Sequence, residues 1–242
     1  MRYAAEIQYD GTAYHGWQVQ PNAITVQEAI TTELSKILPG DQVNIVGCGR
    51  TDTGVHASQY FFHFDVPDEI DATKIAFKLN HMLPEDIGVK EIREVDNEWH
   101  ARFSATRRTY HYFINYTKDP FDRLHSYYFN KELDMDAMNR ACEDMMKYKD
   151  FTSFSKVHTD TKTNDCEIFE AYWKLEGTKV VFTVCANRFL RNMVRAIVGT
   201  MIEVGMHKIS LEEFNQIILD KDRGRAGRSV PGHGLFLAKI EY

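Results

Sequence analysis

One order of elements, met twice along the chain, limits what this sequence can fold into. Tyr3, Ala5, Ile7 and Tyr9 alternate with Arg2, Glu6, Gln8 and Asp10, which predicts a strand ending at the turn residues Asp10-Gly11. Thr25-Val-Gln-Glu28 reads as a capping box. It opens a helix striped by Val26, Ala29, Ile30, Leu34, Ile37 and Leu38, with Pro39-Gly40 as its stop. Strands are predicted over residues 43–47 and 59–66, the second with Tyr60, Phe62, Phe64 and Val66 on one face. A helix from Asp71, striped by Ile75, Leu79, Met82 and Leu83, runs to Pro84, and a strand over 88–95 closes the unit. After an irregular stretch at 96–106 the order returns. A strand over 108–116 puts Tyr110, Tyr112, Ile114 and Tyr116 on one face, and a helix from Asp134 is striped by Met138, Ala141, Cys142 and Met145. Strands follow at 166–175 and 180–185, then a helix through Leu190, Met193, Val194, Ile197, Val198 and Met201. An extra amphipathic helix at 211–219 precedes the last strand, 235–242.

Strand, helix, strand, strand, helix, strand is the ferredoxin-like split arrangement. The expected fold class is α+β: two ferredoxin-like (βαββαβ) halves, residues 1–103 and 104–242, related by pseudo-two-fold symmetry. Their sheets are expected to join into one central mixed or antiparallel sheet with a cleft, the kind of place where sites form. No residue-level repeat links the halves and no linker rich in Pro, Gly or Ser divides them. The 242 residues are 43% hydrophobic and 26% charged, which supplies an ordinary core and excludes disordered or collagen-like chains.

The formal charge is -6, from 29 Lys and Arg against 35 Asp and Glu, so the molecule as a whole does not attract a polyanion. A nucleic-acid binder of this composition must gather its basic residues on one surface. Cys48, Cys142, Cys166 and Cys185 are far apart and form no C-x-x-C pair. That usage suits reduced, buried thiols of a cytoplasmic protein rather than a zinc site or disulfide framework. A Glu stands where a signal peptide would need an apolar run, and no stretch reaches the roughly 18 apolar residues of a membrane span.

The densest polar cluster is Gly47-Cys-Gly-Arg50-Thr-Asp52-Thr-Gly54-Val-His56-Ala, after a strand. Glycine at that density permits a tight turn that presents a short acidic side chain. Asp52 there either accepts a local backbone hydrogen bond or aims a carboxylate, with an Arg beside it, into the cleft as nucleophile or base. On the predicted helix after Asn187, at about 100° per residue, Arg188, Arg191 and Arg195 fall within an arc of about 60°, opposite the apolar stripe. Gly199 continues that face and permits close approach. From Trp99 to Lys118 the chain carries Arg102, Arg107, Arg108 and Lys118 with no acid, interleaved with Phe103, Tyr110, Tyr112, Phe113 and Tyr116. Basic residues meet phosphates and exposed rings stack on unpaired bases, so the mixture fits looped RNA. Alternation assigns most of these rings to the sheet core, and Tyr110, at the start of its strand, is the one expected in the cleft. Arg223-Gly-Arg225-Ala-Gly-Arg228 reads as a mobile surface loop. Ten histidines include His56 and His63 near Asp52, but no metal-ligand spacing appears, and no metal is expected.

The segment Gly49-Arg50-Thr51-Asp52-Thr53-Gly54-Val55-His56-Ala57 resembles the signature of the tRNA pseudouridine synthase A family. The resemblance extends over the chain through Tyr9-Asp10-Gly11-Thr12, His15-Gly16-Trp17-Gln18, Phe103-Ser-Ala, Arg108-Thr-Tyr110-His-Tyr, Asn187-Arg-Phe-Leu-Arg-Asn-Met-Val-Arg195 with Gly199, and Gly234-Leu235-Phe-Leu. It implies conversion of uridine to pseudouridine at positions 38, 39 and 40 of the tRNA anticodon stem-loop. It also implies no cofactor and a homodimer whose two subunits share the RNA surface. In that resemblance Asp52 matches the nucleophile, Arg195 the arginine paired with it, and Tyr110 the ring on the target uracil. Arg50 matches the residue holding the nucleotide out of its stack, and Leu235 an apolar wall. A non-catalytic RNA binder would not need Asp52, and a metal-dependent hydrolase would need ligands. Arg102, Arg107, Arg108, Arg188 and Arg191 are the expected wider RNA contacts.

Overall fold

A computed structural model describes residues 1–38, 43–156 and 163–242. The fold is α+β, with five α-helices and a mixed sheet of nine strands among the described residues. The chain divides into two compact units, Met1–Thr106 with Leu237–Tyr242, and Arg107–Phe236.

In the first unit the elements are β1 (Arg2–Tyr9), α1 (Val26–Ile37), β2 (Ile45–Gly47), β3 (His56–Asp65), α2 (Ala72–Met82) and β4 (Ile87–Val95). The strands lie in the order β4-β1-β3, all antiparallel, with the short β2 on β3. This is the predicted split arrangement. Thr25 caps α1 by accepting from Glu28 N, and Asp71 caps α2 by accepting from Lys74 N, each satisfying an amide that the first helical turn leaves orphaned. The stop predicted at Pro39-Gly40 lies outside the described residues. The apolar stripes are slightly displaced: Thr31 is buried on α1 while Ala29 and Ile37 are only partly so, and Met82 at the end of α2 is exposed.

β3 differs from its sequence pattern in a way that matters. Alternation assigns it one apolar face, yet every residue from Tyr60 to Phe64 is buried. The second face is covered from a distance in sequence, Phe61 by an edge contact with Tyr242 (5.1 Å between centroids) and His63 by Trp99 and His100 (6.0 and 4.8 Å). His63, 4% exposed, accepts at Nδ1 from Ala101 N (3.2 Å). Burial, followed by the charge of Arg2, pushes its pKa down from 6.5 to about 4. Between those two values the unfolded chain binds a proton that the folded one refuses. Stability is therefore complete above pH 6.5 and falls as pH drops towards 4, by up to about 3 kcal/mol. Melting temperature should decline more steeply from pH 6.5 to 4.5 in the wild type than in His63→Gln. Parallel slopes would show that the imidazole protonates freely in the fold.

The second unit contains β5 (Arg107–Asn115), β6 (Tyr127–Tyr128), α3 (Met135–Met145), β7 (Ile168–Glu176), β8 (Lys179–Ala186), α4 (Met193–Gly205) and α5 (Leu211–Asp220). The last strand, β9 (Leu235–Glu241), starts there with Leu235 and Phe236. β5, β8 and β7 run antiparallel in that order, and β6, which has no period-two signal, pairs parallel with β5. α3 is capped by Asp134, which accepts from Ala137 N. α4 is buried at nearly every position, with Arg195 and Glu203 only partly so. It is a core helix without an exposed polar face. All four cysteines are buried and none is in a disulfide, and burial raises the Cys166 thiol to about 11, which leaves that thiol unreactive. Among the described residues, no helix is long and apolar enough to cross a membrane.

Candidate active site

Asp52 lies between β2 and β3, in the first unit. Val55 N donates to Asp52 O (3.1 Å), which closes a four-residue turn, and Gly54 takes φ +71° at its third position. Only glycine adopts that angle readily, so the glycine of the Thr-Gly-Val step is fixed by geometry. The turn is thus built from the Asp52 main chain, and its half-buried side chain is not what closes it.

The backbone on either side is braced by residues 9–17. Trp17 N donates to Thr51 O (3.3 Å), Gly54 N donates to Tyr14 O (3.2 Å), and the Tyr9 and Thr51 hydroxyls share a buried hydrogen bond (2.9 Å). Gly11 N donates to His56 Nδ1 (3.0 Å), with the Asp10 carboxylate 3.0 Å from the same nitrogen. Two glycines permit this approach. A Cβ on Gly11 would overlap the Val55 carbonyl, and one on Gly16, at φ +89°, would overlap the Thr51 carbonyl. Beneath them Trp17 stacks on Tyr60 (4.1 Å, 29°), flanked by Tyr9 and Phe62, and the Tyr60 hydroxyl donates to Gly49 O (2.6 Å). Tyr14 donates to Asp86 (2.6 Å), and burial together with that carboxylate pushes its phenol well up. Beyond the strand residue Tyr9 and the turn residues Asp10-Gly11, the sequence marked residues 9–18 only through the family resemblance. Their work is to hold the Asp52 turn rigid, and the signal for it was the pair Gly11 and Gly16. Arg50, two residues before Asp52, is exposed.

In the second unit Tyr110 is the fourth residue of β5, opposite Val184 of β8. It is half-buried and meets Phe189 edge-on (5.0 Å, 84°), whereas Tyr112 on the same strand face is fully buried and donates to Pro231 O (2.9 Å). Arg195 is in the first turn of α4. Its Nε donates to Val230 O (2.8 Å), and Val230 N donates back to Arg195 O (3.2 Å), which fixes the guanidinium's direction. Leu235, 6% exposed, follows a short 3-10 turn, Gly232–Gly234. Gly234 presses on the Tyr112 ring, so a chain of contacts runs from Arg195 through residues 230–235 to Tyr112.

Two sequence readings need correction. Arg188 and Arg191 do not share a helical arc with Arg195. α4 begins at Met193, after Asn192 at φ +66°, a left-handed position that breaks helical phase. Arg188 is half-buried and Arg191 exposed in the preceding loop. Nor is the 223–228 segment a loose loop. Arg223 donates to Ala226 O, Gly227 O and Ser229 Oγ, Asn192 holds the same Ser229 (2.6 Å), and Gly227 N donates to Thr200 (2.9 Å). Gly199 does permit close approach, and what approaches is the Arg228 carbonyl. Of the remaining basic candidates, Arg108 is half-buried and donates to Asn187 O (2.7 Å), and Arg107 lies over Phe169 (4.5 Å). Arg102 is exposed beside Phe103.

The model of a tRNA pseudouridine synthase family matches residues 5–104 and 148–242. A protein of Bacteroides thetaiotaomicron named tRNA pseudouridine synthase A is 52% identical over all of this chain and 90% of its own length. One of the same name from Bacillus subtilis is 38% identical over all of this chain and 99% of its own. The chain belongs to the tRNA pseudouridine synthase family. Asp52, Arg50, Arg195 and Leu235 fall in the stretches matched by the synthase model, and Tyr110 falls between them.

Proposed function

We propose that this chain isomerises uridine to pseudouridine at positions 38, 39 and 40 of the tRNA anticodon stem-loop, as a cytoplasmic homodimer and without a cofactor. Asp52 is the group that acts on the substrate. The observation that carries this reading is a half-buried aspartate on a turn whose backbone is fixed from both sides. Such a side chain meets a reacting atom without reorganising. Moving the base from a nitrogen to a carbon glycosidic bond requires it to detach, rotate and rejoin in place. A carboxylate, a cation and flat apolar walls suffice for that, with no redox group. In this reading Arg195 is the cation paired with the carboxylate, Tyr110 the ring on the uracil and Leu235 an apolar wall. Arg50 keeps the nucleotide out of its stack, and Arg102, Arg107, Arg108, Arg188 and Arg191 meet phosphates.

Carbodiimide-adduct primer extension on tRNA, from cells with and without the protein, tests the reading directly. Stops at the three anticodon-arm positions are expected only with the protein, and an unchanged pattern would reject it. The Tyr110 ring is expected to matter through its face. Tyr110→Phe should bind tRNA almost normally, and Tyr110→Ala should lose affinity or turnover worth about 1–3 kcal/mol. Equal and normal turnover in both would place the ring away from the substrate.

A further inference from the structure

Residues 96–106, irregular in the sequence, form a closely tied loop of the first unit. Arg2 Nη1 donates to Asn97 O (2.7 Å) and Trp99 O (2.9 Å), while its Nε and Nη2 grip Asp65 (2.8 and 2.9 Å). His100 N donates to Ser104 Oγ and Ser104 N to His100 O, each at 2.9 Å. The amides near the apex are held by imidazoles: Ala101 N by His63 Nδ1 (3.2 Å), Arg102 N and Phe103 N by His100 Nδ1 (3.1 and 3.3 Å). The Tyr242 hydroxyl donates to Ala101 O (2.9 Å).

What this loop displays is Phe103, 74% exposed. Its ring leans on His100 (4.4 Å between centroids, 38° between planes), and the Arg102 guanidinium carbon lies 5.4 Å from its centroid. An aromatic side chain that buries so little adds almost nothing to the core, yet its backbone is held firmly. We propose that Phe103 is a stacking platform for an unpaired base of the tRNA. The proposal rests on the reading of the chain as a tRNA-modifying enzyme and adds a residue to its RNA surface.

Three observations favour a base over a protein partner. Phe103 is the only large exposed apolar side chain of its loop, whereas protein contacts need a contiguous apolar patch. A nucleobase needs one ring face. Its neighbour Arg102 suits a phosphate chain, and the sequence from Trp99 to Lys118 holds no Asp or Glu to repel one.

The test compares wild type with Phe103→Ala, Phe103→Leu and Phe103→Trp. Each is assayed for binding to unmodified tRNA transcript and to a blunt RNA duplex of equal length, with melting temperature and sedimentation alongside. Phe103→Ala and Phe103→Leu are expected to weaken tRNA binding about tenfold, with duplex affinity, melting and self-association unchanged, and Phe103→Trp to bind as the wild type. Wild-type affinity for tRNA in Phe103→Ala would overturn the proposal. So would an equal loss on duplex and tRNA, or a change in self-association with tRNA affinity kept. Pseudouridine formation by the wild type in the same samples is read separately. Its absence rejects the tRNA reading itself, while an active wild type with an indifferent Phe103→Ala rejects only the platform.

Discussion

Asp52→Asn is expected to fold, melt near the wild-type temperature and bind tRNA, and to form no pseudouridine even in long incubations at enzyme excess. The amide keeps the shape and much of the hydrogen bonding of the carboxylate but removes its charge and nucleophilicity. Folding should survive because the turn is closed by the Asp52 carbonyl and by Gly54 at φ +71°, both of which the variant retains. Binding should survive because the residues proposed to meet phosphates lie elsewhere in the chain. Tritium release from uracil-labelled tRNA gives the rate, and gel mobility gives the affinity. Substantial turnover would place the chemistry at another residue. Unfolding would instead assign Asp52 the role of tying down its own loop.

Gly16→Ala is expected to be nearly as severe by a different route. At φ +89° an alanine is strained, and its methyl would collide with the Thr51 carbonyl, next to the peptide that carries Asp52. Backbone strain and overpacking together cost of the order of 3 kcal/mol. The cheapest relief is a shift of residues 51–52, which breaks the Trp17 N to Thr51 O bond. A misplacement of about 1 Å at a reacting group is enough to cost about a hundredfold in rate. Lowered melting temperature with turnover down at least that far is therefore expected, while tRNA affinity changes little. Gly49→Ala is the control, since a Cβ there meets nothing within 4 Å. A Gly16→Ala enzyme with wild-type turnover would show that the brace is dispensable.

Much of this was readable from residues because local chemistry fixed it. The cap residues Thr25, Asp71 and Asp134 each start a helix where they were predicted to, since a side-chain oxygen for orphaned amides is needed at that one position. The β2–β3 loop was legible because glycine density demands a sharp turn. What escaped was set by partners remote in sequence. The second face of β3 is buried by Trp99, His100 and Tyr242, and period-two alternation cannot report a cover that comes from elsewhere in the chain. The start of α4 was missed because residues 187–192 carry a helical pattern, while Asn192, held by Ser229, turns left-handed. Arg223 read as part of a mobile surface loop, but three acceptors at residues 226–229 engage it.

The membership of Leu237–Tyr242 in the first unit bears on how the protein is made. Ile240 N donates to Gln59, Glu241 O accepts from Thr106, and Tyr242 covers Phe61 and reaches Ala101. These contacts span 181 residues for Gln59 and 141 for Ala101. On the ribosome, the half that carries Asp52 is synthesised first but lacks its last strand until all of Arg107–Phe236 has followed. The part of the β3 edge that β2 does not cover stays open through that interval, a long-range closure of the kind that slows folding and invites wrong pairing. The second unit, contiguous in sequence, is able to fold as it emerges, and the half that carries Asp52 is completed after it.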